Sequence, residues 1–448
     1  MSAQATKKPN ANRLAIQMVV ALAAGIIVGL IFMAIRENID PSTWATINNI
    51  LFQDITAEGA ESAIGIFYIG GQLFVRALQV VIVPMVFTSI AMAIGTVSDA
   101  RTLGRISTKT LLWFLMSTAG GLLLASVVGM VVFDMGLFSV NLDGLSTSSG
   151  STSSNPLLVF LNIVPSNIAS VFSSNTEVLA IVFLAAATGL CMNKLGFEKT
   201  TTMRRLLQEL NDIVTVFLNF VVTKFAPIAI FLLISRTFAT YGIEYIRPAV
   251  VYMVLTVILL LIYLFGAYPL MVFIGTRLSP KTFLRKIMGV ILFGFSTSSS
   301  AATLPMNYET CVKRMGVDKQ VASFVLPLGM TINMDGTAIM QVVATLFIAG
   351  AAGYDVSVGS LIVIALLALV ASVGTPAAPG AGAVILFTIL SGVGFTSDAA
   401  LMAYSLILAI NRPIEMLVTS LNCVGDSVAS LYVAKSEKLL KEDVYKAK

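Results

Sequence analysis

No histidine occurs anywhere in the 448 residues. That absence removes His-based metal sites, Ser/His or Cys/His catalysis and a histidine proton relay. Cysteine is scarce as well: Cys191, Cys311 and Cys423 lie far apart with no CxxC pair, so neither a disulfide framework nor a thiolate metal site is indicated. Unpaired thiols inside apolar stretches read as packing residues. Charged residues make up only 11% of the chain, against about 25% in soluble domains. What is present in excess is apolar, 57% of all residues. These proportions describe an integral membrane protein. Long continuous apolar runs such as 250–274 suit helices, which need about 20 such residues per crossing, and not the short alternating stretches of an outer-membrane barrel. The net charge of +5 would invite a nucleic-acid reading, but the basic residues sit mostly in short loops between apolar runs, the pattern of cytoplasmic loops.

The runs divide into eight expected spans: 14–35, 63–94, 108–133, 156–195 (broken), 203–240, 248–274, 322–351 and 401–433. The first is longer than a signal-peptide core and no A-x-A site closes it, so it is expected to stay as a span. Basic clusters around Arg101, Lys194, Arg277 and Lys313 and in the tail from Lys435 alternate with loops free of Lys and Arg at 37–61, 134–155 and 350–360. That alternation predicts a multi-pass protein of the cell (inner) membrane with both termini in the cytoplasm. The Ser, Gly and Thr-rich stretch 141–155 reads as a flexible outside loop.

Two stretches fit no ordinary span. FGFSTSSSAATLP at 293–305 interrupts an apolar run with five consecutive Ser and Thr, and ASVGTPAAPGAGA at 371–383 interrupts another with Pro and Gly. Each is flanked by apolar segments too short to cross separately but able to enter and return, as re-entrant hairpins do. Non-helical backbone at membrane depth is tolerated where it is buried in protein or lines a wet cavity, so two breaks entering from opposite sides point to one central polar site, the pattern of secondary transporters. The alternative is that small residues simply let helices pack closely.

Acids and amides lie at membrane depth too. Thr331-Ile332-Asn333-Met334-Asp335-Gly336-Thr337 puts an acid and an amide in mid-span, where an ionisable group costs roughly 2.5–3.5 kcal/mol. A turn between two short helices is the plainer reading; a cation ringed by oxygens is the functional one. In the last span Asn411, Glu415, Thr419, Asn422 and Asp426 recur at intervals of 4, 4, 3 and 4, which at about 100° per residue places them within an arc of about 80°. Such a polar stripe is either a helix facing a polar bundle interior or an ion and substrate pathway.

Together these motifs resemble the dicarboxylate/amino acid:cation symporters, which include excitatory amino acid transporters and the archaeal aspartate transporter homologue. The resemblance covers nearly the whole chain and is carried by SSSAATLP at 298–305, NMDGT at 333–337, SVGTPAAPGAGA at 372–383 and NCVGD at 422–426. It implies an all-α polytopic membrane protein of eight transmembrane helices and two re-entrant helical hairpins built as inverted repeats. It further implies scaffold helices in 1–107 and 156–242, an elevator transport domain in 108–136 and 248–434, a cytoplasmic tail at 435–448, and a homotrimer in membrane lipid. The coupling ion would be sodium, with a proton as the alternative. One sodium site is matched by Gly329, Asn333, Asn422 and Asp426, a second by Thr331, Met334, Ser372, Val373 and Thr375, and a third by Ser117, Thr118, Asn333 and Asp335, with Phe114 where a tyrosine is usual. The donors suit a hard cation, which takes oxygen ligands.

The substrate pocket implied by the resemblance comprises Ser298, Ser299, Ser300, Thr337, Ala377, Pro379, Gly382, Asn411, Glu415, Val418, Thr419 and Asn422. Ser300 and Asn422 match contacts to the α-carboxylate, and Glu415 stands where an aspartate receives the amino group. Val418 stands where an arginine binds an acidic side chain, so an anionic side chain there would be left unpaired and a small neutral amino acid is expected over aspartate, glutamate or a C4-dicarboxylate. Arg412, three residues before Glu415, is either a relocated anion partner or the i,i+3 partner of Glu415. Asn411, Pro376 and Ala377 also depart from common family residues. An intramembrane aspartyl protease using Asp335 and Asp426 would need glycine at Cys423, and a channel would conduct without saturating; a transporter, not an enzyme, is the reading the residues favour.

Overall fold

The computed structural model describes residues 11–56, 59–95, 101–140, 164–173, 178–242, 246–373, 375 and 380–447. The stretch 141–155 and the start of the fourth expected span lie outside these. The described residues fold as helices, with one isolated antiparallel bridge pairing Val317 with Leu440. In chain order they are α1 (Ala11–Asn38), α2 (Pro41–Leu51), α3 (Ile66–Gly95), α4 (Arg101–Asp134), α5 (Ile168–Phe172), α6 (Val178–Leu195), α7 (Phe197–Phe220) and α8 (Ala226–Tyr241). They continue with α9 (Ile246–Ile262), α10 (Tyr268–Thr276), α11 (Pro280–Thr297), α12 (Ser300–Glu309), α13 (Lys319–Ile332), α14 (Asp335–Ala351), α15 (Val358–Val373), α16 (Ala381–Val393), α17 (Asp398–Ile410), α18 (Arg412–Ser436) and α19 (Glu442–Lys446). Single π-helical turns, Val221–Phe225 and Tyr263–Ala267, join α7 to α8 and α9 to α10.

Seven helical stretches among the described residues are long and apolar enough to cross a membrane, one fewer than the eight spans expected. The fourth span is represented by the short α6. The last expected span, 401–433, is not one helix: it breaks at Asn411, and Arg412–Ser436 alone has crossing length. The reason is Pro413, which has no N–H to donate and crowds the residue before it, so it sits in the first turn of α18.

α11 with α12 and α15 with α16 form two helical hairpins, each followed by a helix interrupted near its middle, α13/α14 at Asn333 and Met334 and α17/α18 at Asn411. The hairpin-plus-broken-helix unit therefore occurs twice. At the first tip Ser298 adopts a left-handed conformation (φ 48°) and the Ser299 side chain caps α12 by accepting from Ala302 N. At the second, Gly380 is left-handed (φ 86°).

The helices pack in two sets. In one, α1 lies along α8, and α3 packs on α6, α7 and α8. In the other, α14 is central, with every residue buried, and α4, α9, α15, α16 and α18 surround it while α11 and α13 pack on α18. The sets meet chiefly where α17 lies on α8 and α16 on α3. In the first set the backbones of α1 and α8 come close at the Gly25-x-x-x-Gly29 pair. A side chain at Gly29 would place its Cβ 2.5 Å from Phe238 Cβ and 2.9 Å from the Ser235 carbonyl, the close approach that small residues allow in membranes.

The segment after α18 is no free tail. Glu437 takes Lys109 at 2.5 Å and Arg105 at 3.1 Å, and these cations hold its carboxyl below the usual range. Lys441 N donates to the Gly316 carbonyl at 2.8 Å, Lys435 pairs with Glu442, and the Tyr445 hydroxyl donates to the Ser279 carbonyl at 2.9 Å. The C-terminus thus closes the base of the first hairpin.

Gly29→Leu is expected to destabilise the protein by roughly 1–3 kcal/mol through overpacking, read as a lowered melting temperature of the detergent-solubilised protein, whereas Gly29→Ala has a smaller effect.

Candidate functional site

The break between α13 and α14 lies at the centre of the second set. Asn333 (φ −91°, ψ 91°) and Met334 (φ −122°, ψ 47°) leave helical geometry, so the last carbonyls of α13 and the first N–H groups of α14 lose their intrahelical partners. Side chains from three other helices, α4, α10 and α18, close on this gap.

Asp335 is fully buried. Its Oδ1 accepts from Thr118 Oγ1 of α4 at 2.5 Å and its Oδ2 from the Tyr268 hydroxyl of α10 at 2.8 Å. Asn333 donates its amide to Asp426 Oδ1 of α18 at 3.0 Å and accepts from Ser117 Oγ of α4 at 3.4 Å. Tyr263 donates to the Ser117 carbonyl. Gly329, one turn before the break, lets Asp426 approach the backbone of α13: a Cβ there would meet Asp426 Oδ1 and lie 2.7 Å from its Cγ and 3.0 Å from Phe114 Cζ. The structure therefore brings together Ser117, Thr118, Gly329, Asn333, Asp335 and Asp426. Among the described residues neither aspartate forms an ion pair, and no group of three or more His, Cys, Asp or Glu could hold a metal by those side chains alone. The oxygens that converge belong to hydroxyls, amides, carbonyls and two carboxylates, a set that suits a hard cation.

A second cluster continues along α18. Asn422 accepts from Gly336 N at 2.8 Å and donates to Thr337 Oγ1 at 3.2 Å and Met334 Sδ at 3.1 Å. Gly382 packs on Thr337 and Met340, and its carbonyl accepts from Gln341 Nε2 at 3.1 Å. Ser300 is buried at the first turn of α12, and Asn307 ties that helix to the Cys423 carbonyl at 2.8 Å. Thr419 bonds back to the Glu415 carbonyl within α18.

A third group surrounds Glu415. Arg412 Nη1 lies 3.6 Å from Glu415 Oε2, and Asn411 donates to Glu415 Oε1 at 3.5 Å while accepting from the Tyr252 hydroxyl at 2.7 Å. Arg412 and Glu415 border a small cavity between the two helix sets, together with Gly380, Ala383, Val222 and Ala226. Arg412 Nε, although buried, has no acceptor.

Other predicted residues are not joined to these clusters. The hydroxyls of Thr331, Ser372 and Thr375 each bond to a carbonyl of their own segment, and among the described residues no hydrogen bond links Thr331 to the second hairpin. Val373 ends α15. The Ser298 hydroxyl is buried without a partner. Ala377 and Pro379 lie outside the described residues. Sequence reasoning missed Tyr252, Tyr268 and Gln341. Their only signal was a polar tip inside an apolar run, and that does not say which carboxylate or carbonyl the tip reaches.

An all-helical polytopic membrane protein whose broken helices surround a buried set of acids, amides and hydroxyls belongs to the class of secondary transporters. The sodium:dicarboxylate symporter family matches residues 14–436, and this chain belongs to that family. It is similar to the proton/glutamate-aspartate symporter of Escherichia coli (strain K12), 28% identical over 382 residues covering 82% of this chain and 84% of the relative. The proton/sodium-glutamate symport protein of Bacillus caldotenax is 27% identical over 447 residues, 96% of each chain. Excitatory amino acid transporter 2 of Homo sapiens is 34% identical over 271 residues, 59% of this chain and 46% of that protein. The protein is a symporter and not an enzyme, and its substrates are small molecules of the amino acid or dicarboxylate kind.

Tyr268→Phe removes a donor that orients Asp335 and, on the sodium-site reading proposed below, is expected to raise the sodium concentration needed for half-maximal thermal stabilisation about tenfold, the usual cost of losing a group that positions a ligand. Gly329→Ala, which pushes Asp426 off the backbone, should abolish that stabilisation.

Proposed function

We propose that this protein couples sodium entry to the uptake of a small neutral amino acid, by an elevator movement of a transport unit (108–136 and 248–434) against scaffold helices in 1–107 and 156–242, as a trimer with both termini in the cytoplasm. One observation carries the ion assignment: Asp335 and Asp426 are both buried at the break, Asp426 bonded to Asn333, and among the described residues neither has a basic partner. Two uncompensated carboxylates in an apolar bundle are prohibitive unless a cation balances them or protons neutralise them, and the surrounding hydroxyl and amide oxygens can turn to complete a cation's shell. The names of relatives include proton- as well as sodium-coupled glutamate transporters. Glu415 is the group that would serve a proton-coupled cycle.

The substrate assignment follows the stripe of α18. The α-carboxylate lies against the first turn of α12 at Ser300 and against Asn422, with Thr337 beside it. The ammonium takes Glu415, and the side chain meets Val418, an apolar residue 5% exposed. Division of the helices into two packed sets that meet along α17 and α16 supports one set carrying the site past the other, with the second hairpin closing it.

A second reading has its own observation. The unpartnered Arg412 Nε beside Glu415 would serve a side-chain carboxylate, making aspartate, glutamate or a C4-dicarboxylate the cargo.

Reconstituted in liposomes, the protein is expected to accumulate labelled alanine, serine or threonine under an imposed sodium gradient; accumulation that ignores sodium and follows a proton gradient overturns the ion assignment. Neutral amino acids should compete at least about tenfold better than aspartate, some 1.4 kcal/mol, and Val418→Arg should shift that preference toward acidic substrates. If the unmodified protein prefers aspartate and Arg412→Leu abolishes the preference, the second reading holds instead.

A further inference from the structure

Tyr252 lies on α9 with its ring wholly buried and stacked on Phe347 of α14, the two centroids 5.4 Å apart. Its hydroxyl crosses to the break before α18 and donates to Asn411 Oδ1 at 2.7 Å. The backbone of Asn411 is committed on both sides, its N–H to the Ile407 carbonyl and its carbonyl to Glu415 N, each at 2.9 Å. Only the side chain is left to turn. With its oxygen taken by the phenol, the amide directs its NH2 to Glu415 Oε1 at 3.5 Å and Met340 Sδ at 3.7 Å. Flipped, it would set a carbonyl against a carboxylate and a thioether, acceptor against acceptor. Without the phenol, Oδ1 would be a buried acceptor lacking a donor.

The contacts onto Glu415 itself are long. Asn411 reaches Oε1 at 3.5 Å and Arg412 reaches Oε2 at 3.6 Å, at or beyond the edge of hydrogen bonding. The buried carboxylate thus has neighbours that balance it without closing on it. A carboxylate accepts at about four positions, so room remains for a short, charge-assisted bond to an ammonium. Collapse of the amide onto Glu415 would fill that room. Asn411 is tethered on its far side by the short bond to Tyr252, and the tether keeps it from following.

We propose that Tyr252 is a positioning residue for the substrate's ammonium group, acting through Asn411 to keep the Glu415 carboxylate free to receive it. The inference rests on the assignment of the ammonium to Glu415 made above. Tyr252 touches no substrate; it holds the orientation and the distance of the amide that borders the acceptor. The benefit goes to cargo that carries an amino group, so the device favours amino acids over dicarboxylates. It is also local. The donors to Asp335 and Asp426 at the other end of the stripe are Thr118, Tyr268 and Asn333, none of them bonded to Tyr252 or Asn411, so the cation end is left as it is.

Tyr252→Phe keeps the ring and its stacking and removes only the hydroxyl. In liposomes carrying the full-length protein, the concentration of labelled alanine or aspartate giving half-maximal uptake is expected to rise up to about tenfold, the worth of one net hydrogen bond. The maximal rate should hold, as should the thermal stabilisation of the detergent-solubilised protein by sodium alone. In an Asn411→Ala background the same substitution should add nothing, since the tether has already lost its other end. An unchanged half-saturation, or an equal rise in both backgrounds, overturns the role of Tyr252. So does a matching fall in maximal rate or in sodium stabilisation, which marks a general structural defect. Glu415→Gln tests the underlying assignment: the ammonium reading fails if amino acid uptake survives that change unaltered, or if the unmodified protein takes up labelled succinate and neither amino acid. If Glu415→Gln abolishes amino acid uptake while Tyr252→Phe leaves it intact, the assignment stands and the positioning role alone falls.

Discussion

The structure is organised around a cost. Asp335 and Asp426 are buried in a bundle of apolar helices and, among the described residues, have no compensating basic residue; in such surroundings a carboxyl needs hydrogen-bond donors together with a counter-charge or a proton. Thr118, Tyr268 and Asn333 provide the donors. On the proposed reading the balance is completed by a bound cation, and the conformational energies of such a protein depend on whether that cation is present.

The contrast with Glu415 sharpens the point. That acid is equally deep in the second helix set, yet it has Arg412 at 3.6 Å and Asn411 at 3.5 Å on its own chain segment, an internal balance that asks for no ion. The two kinds of acid sit on one helix, α18, eleven residues apart at Glu415 and Asp426. Helical periodicity holds both on the same face, so the two ends of the stripe, proposed above for substrate and for cation, are rigidly linked. Asn422, between them, bonds to the start of α14 through Gly336 and Thr337 and makes the broken helix part of the same rigid body.

Much of this arrangement is legible in the residues themselves. The apolar runs, the two Ser/Thr and Pro/Gly interruptions and the 4, 4, 3, 4 spacing on α18 identify a helical membrane protein with hairpins and a polar stripe, because each is a local property of chain composition and period. Pro413 also speaks locally, and the break it causes at Asn411 was open to reading. What could not be read were partners. That Tyr268 rather than Phe114 brings a hydroxyl to Asp335 and that Gln341 holds Gly382 depend on how helices far apart in the chain are rotated and stacked.

The sequence by itself determined that the chain enters a membrane as helices, where those helices are interrupted, and that acids and amides lie at depth, since hydrophobic burial, helix period and the backbone limits of proline and glycine act over a few residues. Only the tertiary structure decided which of those acids go uncompensated, which helices form each of the two packed sets, and that the last expected span is two helices whose upper part abuts the other set. Those outcomes are set by side-chain packing and by the pairing of buried polar groups, interactions between residues whose distance in space bears no relation to their distance along the chain.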